Sequence, residues 1–325
     1  MPKPLTIWCN QNFSPTLAAT LERSIGSHQL VWASDMKASN LVAAGHDPAL
    51  ATAHIAFGQP NPEQVIESPN IRWVHLTSAG YTRYDRDDLR TAFKARDAAM
   101  TNSSEVFAEP CAQHVLAFML AQARALPASW ADQCGSRAWP TPKLRPMSRL
   151  LNGQRVLILG YGSIGQKLVD YLRPLEMDII AVRRTVKGNE GVPTVTVDQT
   201  DALLADADHV VNILPASTQT TGFIDSVRLS NMKPSAVLYN IGRGDTVDQS
   251  ALIDALQNER IAAAYLDVTS PEPLPADHPL WSAPNCYITP HTAGGHHDEM
   301  ERLLAHFLGN LERFVASSAL RDRII

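Results

Sequence analysis

Residues 156–184, VLILGYGSIGQKLVDYLRPLEMDIIAVRR, decide the reading of this chain. An aliphatic run, VLIL, ends in a glycine-rich turn. The turn opens a segment with apolar residues at helical spacing, SIGQKLVDYL, and a second aliphatic run, DIIAV, follows. Strand, turn, helix, strand is the context in which G-x-G-x-x-G binds a dinucleotide. Gly160 permits the tight turn, Gly162 lets a pyrophosphate approach the backbone, and Gly165 lets helix and strand pack closely. The backbone around Tyr161, Ser163 and Ile164 then faces the phosphates at the positive end of the helix.

The end of the second aliphatic run refines this reading. An acidic side chain about 20 residues beyond the glycines would accept hydrogen bonds from the adenosine ribose of NAD. Eighteen residues beyond Gly165 the chain has Arg183 instead, followed by Arg184 and Thr185. Two guanidiniums and a hydroxyl suit a 2'-phosphate, and a hydrogen bond to a charged group contributes roughly 1.5–3 kcal/mol. The expectation is a preference for NADP(H), with NAD(H) also accepted.

Working outward, 325 residues fit two ordinary domains. A hydrophobic fraction of 45% can fill two cores, and a net charge of -5 without a basic run points away from nucleic acid and anionic membranes. The opening MPKPLTIWCNQNF has no signal-peptide core, and VLAFMLA at 115–121 is too short to span a bilayer. A cytoplasmic protein with a small-molecule substrate is expected. Cys9, Cys111, Cys134 and Cys286 lie far apart, which points to reduced thiols rather than a disulfide framework or zinc site.

Before the glycine turn, LTIWC, LVWAS, HIAFG and IRWVHLTSAG read as buried strands between helical stretches, a first parallel α/β unit. EPCAQHVLAFMLAQARAL reads as a helix ending near Pro127, and the Pro- and Arg-rich segment after it as an irregular arm. HVVNILP, SAVLYNIG, AAAYLDV and NCYIT continue the nucleotide unit as strands. The segment HDEMERLLAHFLGNLERFV is an amphipathic helix, with Leu303, Phe307, Leu311 and Phe314 on the face expected to pack on the first unit.

Three motifs end strands where open α/β sheets present their ligand crevice. They are NIGRG with Arg243, LDVTSPEPLP with Glu272, and ITPHTAGG with His291. Gathered beside a nicotinamide, Arg243 would hold a substrate carboxylate and His291 would exchange a proton with the reacting oxygen. Glu272 would bond the other ring nitrogen, orient the imidazole and favour its protonated form. The turn TSAGYTRYD offers backbone N–H groups for a carboxylate at the mouth of the first unit. His296, His297, Asp298 and Glu299, close after His291, read as the charged opening of a helix, and no metal site is expected.

GYGSIG, NIGRG, DVTSPEP and TPHTAGG together resemble the D-isomer-specific 2-hydroxyacid dehydrogenases, with the look of their NADPH-using glyoxylate and hydroxypyruvate reductases. The resemblance implies two doubly wound parallel-sheet α/β domains, a Rossmann coenzyme domain (102–290) inserted into a flavodoxin-like substrate domain (1–101 and 291–325). It implies an NAD(P)-dependent oxidoreductase that converts small 2-oxoacids to D-2-hydroxyacids, with Arg243, Glu272 and His291 as the catalytic set. Ala79 and Gly80 would contact the substrate carboxylate, and Leu214, Pro215, Thr220, Ile241, Gly242 and Asp267 would line the coenzyme with Arg243 and His291. A homodimer through residues 105–150 is implied, with Trp139 matching a tryptophan that reaches the neighbouring cleft. Tyr81, Trp139 and Met147 are candidate pocket walls. Thr82 and Gln113 stand where the family usually has an aspartate and a glutamate. Two other readings remain open: a nucleotide-sensing protein like the corepressors that share this fold, and oxidation of an inorganic acid such as phosphite. A glutamate at 272, where formate dehydrogenases carry glutamine, disfavours formate.

Overall fold

Aliphatic strands alternating with helices build two parallel sheets, one in each of two compact units: Met1–Phe107 with His296–Ile325, and Ala108–Gly295. The computed structural model describes residues 3–37 and 44–325. In the first unit the strands are β1 (Thr6–Gln11), β2 (Gln29–Lys37), β3 (Ile55–Gly58), β4 (Trp73–Leu76) and β5 (Ala99–Thr101), in the order β2-β1-β3-β4-β5. All are parallel, the flavodoxin-like order. Alternate residues of these strands feed two cores, because side chains in a strand point to opposite faces in turn. Trp8, Ala56, Val74 and Met100 enter one core, and Ile7, Cys9, Ile55, Phe57 and Trp73 the other.

The helix Glu299–Val315 closes the second of these cores. Leu303, Leu304, Phe307 and Leu311 are buried, and Phe307 stacks on Phe57 at 3.9 Å and on Trp73 at 5.3 Å. The apolar spacing therefore places this helix on the first unit, as expected. It also buries two polar residues that the spacing did not mark, His306 and Asn310.

The second unit has β6 (Arg155–Leu159), β7 (Asp178–Val182), β8 (Thr194–Val195), β9 (His209–Asn212), β10 (Val237–Asn240), β11 (Ala263–Leu266) and β12 (Cys286–Ile288). Their order, β12-β11-β10-β9-β6-β7-β8, is the doubly wound dinucleotide arrangement extended by one strand. Val156 and Ile158 pack in one core, Leu157 and Leu159 in the other. The order reverses between β6 and β9, which fixes the crevice at their carboxyl ends.

Several local expectations need correction. The long helix runs Ser104–Ala123, starting before Glu109 and carrying Pro110 inside it. The segment after it is not wholly irregular: Leu126–Cys134 is a helix with no buried residue, and Thr141–Leu144 adds one turn. β5 and β8 have three and two residues, too few for alternation to reveal.

Candidate active site

One register row crosses the second sheet at its carboxyl edge. Val182 pairs with Leu159, Leu159 with Asn212, Asn212 with Asn240, Asn240 with Leu266, and Leu266 with Ile288. Most of the coenzyme-side residues expected from the sequence follow that row within a few positions, Thr220 lying farthest, eight beyond Asn212. Gly160 follows Leu159, Arg183 follows Val182, Leu214 lies two beyond Asn212, Arg243 three beyond Asn240, Asp267 next to Leu266 and His291 three beyond Ile288.

The glycine turn has the shape a pyrophosphate requires. Gly160 sits at φ +100°, and a Cβ there would lie 3.0 Å from the carbonyl oxygen of Ile213. A Cβ on Gly165 would lie 2.7 Å from the carbonyl oxygen of Gly160, so helix and loop touch. At Gly162 an added Cβ meets no atom within 4 Å, which leaves open space in front of the backbone. Gly162 is the N-cap of the helix Ser163–Leu172 and has no side chain to cap its first N–H groups. These residues fit a dinucleotide phosphate: positive dipole end, unfilled cradle, and N–H donors at its rim.

Arg183 is positioned from two sides. Its backbone N–H donates to Val195 at 3.0 Å, and its Nη1 donates to Glu190 Oε1 at 3.1 Å. Glu190 was not marked in the sequence because it comes from the following loop. Its carboxylate also accepts from the backbone N–H groups of Lys187 and Gly188, which, with Arg183, hold it below its usual range as an anion. Arg184 and Thr185 are exposed beside it.

Arg243 follows β10 on a backbone held by a buried polar network. Asn212 donates to Asn240 Oδ1 at 3.2 Å and to Thr246 Oγ1 at 2.7 Å. Asn240 in turn accepts from Gly242 N–H and donates to the Arg243 carbonyl, while Leu214 N–H donates to Asn212. One network thus fixes the loops that carry Leu214 and Arg243. The repeated Asn at the ends of HVVN and VLYN was its sequence signal, and only the register shows that the two are neighbours.

The loop after β12 hangs on Asp267. This buried carboxylate accepts from Thr289 Oγ1 at 2.6 Å, Thr292 N–H at 2.8 Å and Ala293 N–H at 2.9 Å. Thr289 Oγ1 also lies 3.1 Å from His114 Nε2, a ring whose burial lowers its pKa. His291 N–H donates to the Asp267 carbonyl, and His291 itself takes φ +53°, a conformation non-glycine residues seldom adopt. Such backbone outliers collect at functional sites, where the surroundings hold them. Its Nδ1 is 2.7 Å from Glu272 Oε2, and Glu272 Oε1 accepts from Thr269 N–H at 3.0 Å. One carboxylate therefore braces its own loop and orients the imidazole.

The remaining expected residues sort as follows. Ile241 and Gly242 lie in the Arg243 loop, and Thr220 Oγ1 donates to the Pro215 carbonyl in the loop after β9. Ala79 and Gly80 belong to the first unit, where their carbonyls accept from Asn102 and from Ser78. Tyr81 lies beside them, while Trp139 and Met147 are exposed in the arm of the second unit. Gln113 donates to Tyr171. The His296–Glu299 cluster does open a helix: Asp298 is its N-cap residue and bonds Arg302 and His296, which pull its carboxyl down to about 2.

With this geometry in place, comparison with known proteins decides the family. The family model of the D-isomer specific 2-hydroxyacid dehydrogenase NAD binding domain matches residues 116–293. The chain belongs to this family. As a D-isomer-specific 2-hydroxyacid dehydrogenase it is an oxidoreductase with an NAD-binding domain. It is 32% identical to glyoxylate/hydroxypyruvate reductase B of Pectobacterium atrosepticum, over 81% of this chain and 83% of that one. It is 29% identical to a hydroxypyruvate reductase of Blautia hydrogenotrophica, over 80% of each. A D-isomer specific 2-hydroxyacid dehydrogenase from Xanthobacter autotrophicus Py2, solved with NADPH and MES, superposes with a TM-score of 0.81 at 26% identity, covering 99% of this chain and 98% of that one. Among the described residues of this family member, no helix is long and apolar enough to cross a membrane.

Proposed function

We propose that this dehydrogenase reduces small 2-oxoacids of the glyoxylate and hydroxypyruvate type to D-2-hydroxyacids with NADPH. The observation that carries the reading is the Glu272–His291 pair, 2.7 Å apart at the carboxyl edge of a dinucleotide-binding sheet. NADPH, when bound, supplies the hydride. Gly160, Gly162, Gly165 and the opening turn of the helix at Ser163 would hold its pyrophosphate, and Leu214, Pro215, Thr220, Ile241, Gly242 and Asp267 the rest of its length.

The chain's own residues do the remaining work. Arg243 pairs its guanidinium with the substrate carboxylate and so orients the carbonyl. Glu272 engages Nδ1 of His291, which leaves Nε2 to give a proton to the carbonyl oxygen in reduction and to take it from the hydroxyl in oxidation. Glu190 supports NADPH over NADH in an indirect way. Its oxygens are committed to Arg183 and two backbone N–H groups, so it orients Arg183 rather than accepting from ribose hydroxyls. The names of the Pectobacterium and Blautia relatives support the substrate class, and the NADPH in the Xanthobacter structure supports the coenzyme. Exposed apolar side chains along the arm, Trp130, Trp139, Met147 and Leu150, support a homodimer.

Initial rates with NADPH and NADH on glyoxylate, hydroxypyruvate, pyruvate and a bulky aromatic 2-oxoacid test this. The short acids should turn over with NADPH. The Arg183→Ala/Arg184→Ala protein should lose about 10–100-fold of its NADPH to NADH ratio in kcat/KM. An unchanged ratio would remove the coenzyme assignment, and no turnover of any acid despite NADPH binding would favour a nucleotide-sensing role.

A further inference from the structure

The first unit carries a second cluster of chemical groups, remote in sequence from every motif above. Glu105 is in the first turn of the helix Ser104–Ala123, His306 is buried on the helix Glu299–Val315, and Asp322 lies in the C-terminal segment. One ligand atom of each lies within 4.8 Å of the others. His306 Nε2 is 3.3 Å from Asp322 Oδ2 and 3.7 Å from Glu105 Oε2.

The imidazole itself points to a ligand. The His306 side chain is only 4% exposed, yet neither of its ring nitrogens has a hydrogen-bond partner. The 3.3 Å approach to Asp322 is misdirected for a hydrogen bond. A buried polar group left in this way bears its full desolvation cost. The neighbouring His75 offers no relief, because its Nδ1 is 2.7 Å from Thr101 Oγ1 and its Nε2 3.4 Å from Ser103 Oγ.

The spacing also suits a coordination shell. Oxygen and nitrogen ligands at about 2.0–2.2 Å from a tetrahedral ion stand about 3.3–3.6 Å apart. Both measured separations from Nε2 fall at or near that interval. The arms are also held in place: Asp322 Oδ2 accepts Glu105 N–H at 2.7 Å, and Asn102 N–H and Ile324 N–H pair the C-terminal segment alongside β5. Glu105 is the exposed member and opens the site to solvent, with Arg321 Nη1 3.7 Å from its other oxygen.

We propose that Glu105, His306 and Asp322 form a binding site for a divalent first-row transition-metal ion, with a donor set of one imidazole and two carboxylates that suits Zn2+. The two carboxylates outweigh the single Arg321 charge. Bound metal would clip residue 322 to residue 105 and tie the C-terminal segment to the first unit.

The test uses the full-length protein after chelator treatment, titrated with Zn2+ by calorimetry and with Co2+ by visible absorption. Glu105→Gln removes an exposed ligand, and Asp322→Asn keeps an acceptor for the Glu105 N–H, so both variants should fold. One saturable equivalent is expected, with Co2+ d–d bands and a metal-dependent rise in Tm. Each variant should bind at least about tenfold more weakly, a loss that even outer-sphere partners of metals can cause. No saturable binding, or wild-type affinity in both variants, would overturn the site. So would binding that survives in them but disappears in His297→Ala, which would assign the ion to the exposed histidines at 296–297.

Discussion

His209 begins β9 at the amino end of the seven-stranded sheet, and His291 follows β12 at its carboxyl end. At His209 both ring nitrogens are engaged: Nε2 lies 2.7 Å from Gln154 Oε1, so it carries the hydrogen, and Nδ1 takes the Tyr239 hydroxyl at 3.0 Å. The charges around it are likewise closed on one another. Asp208 accepts from Arg155 N–H and Lys233, and Arg155 Nε donates to Asp178. His291 has one nitrogen held, by Glu272, on a part-exposed ring at positive φ. Polar density does not separate the two edges. Unspent hydrogen-bonding capacity does, and it accumulates where strands end and loops with free N–H groups begin.

The largest effect expected of this contrast is on rate. His291→Ala should lower reductive kcat/KM by about 10²–10⁴-fold, the range for a lost general acid. Its unfolding midpoint should stay close to wild type, since the ring is part-exposed and packs no core. Steady-state kinetics beside a denaturant melt would decide it. A melt that collapses with the activity would make His291 a structural residue and erase the distinction between the two edges.

The opposite outcome is expected at His209, in stability rather than rate. Burial lowers its pKa from 6.5 to about 4. Above pH 6.5 the ring is neutral in folded and unfolded chains alike and contributes no pH dependence. As pH falls below 6.5 the unfolded chain takes the proton first, so stability is lost progressively until about pH 4, by about 3 kcal/mol in all. His209→Gln keeps one donor and one acceptor but cannot titrate. Its stability should therefore fall less steeply than wild type across that window, with reductive activity retained. Equal slopes in urea melts at pH 7 and pH 4.5 would mean that His209 is not held neutral.

What the sequence disclosed follows the same division. The glycine turn, NIGRG, SPEP and TPHTAGG were legible because each needs particular residue types at adjacent positions. Partners brought together by register were not. Asn212 and Asn240 meet only because β9 and β10 align residue for residue. Glu190 reaches Arg183 only through the fold of the loop between β7 and β8. His209 looked like one more residue of an aliphatic strand. The buried His306 was hidden for a related reason: apolar periodicity marks the face of a helix and says nothing of a polar residue placed on it. The arm misled differently, because the Pro and Arg residues after it outweighed the helix Leu126–Cys134.

The smallest effect separates the two duties of Glu272. Its Oε1 braces Thr269 N–H and its Oε2 holds His291 Nδ1. Glu272→Gln preserves an oxygen acceptor for one of these and removes the negative charge beside His291. If charge is the main contribution, reductive kcat/KM should drop about tenfold near pH 7, the rate equivalent of about 1.4 kcal/mol. The unfolding midpoint should stay close to wild type, because the Gln oxygen can still accept from Thr269 N–H. An unfolding midpoint that falls along with the rate would mean that Glu272 serves the loop and not the proton. The asymmetry between the two histidines would then rest on the position of His291 alone.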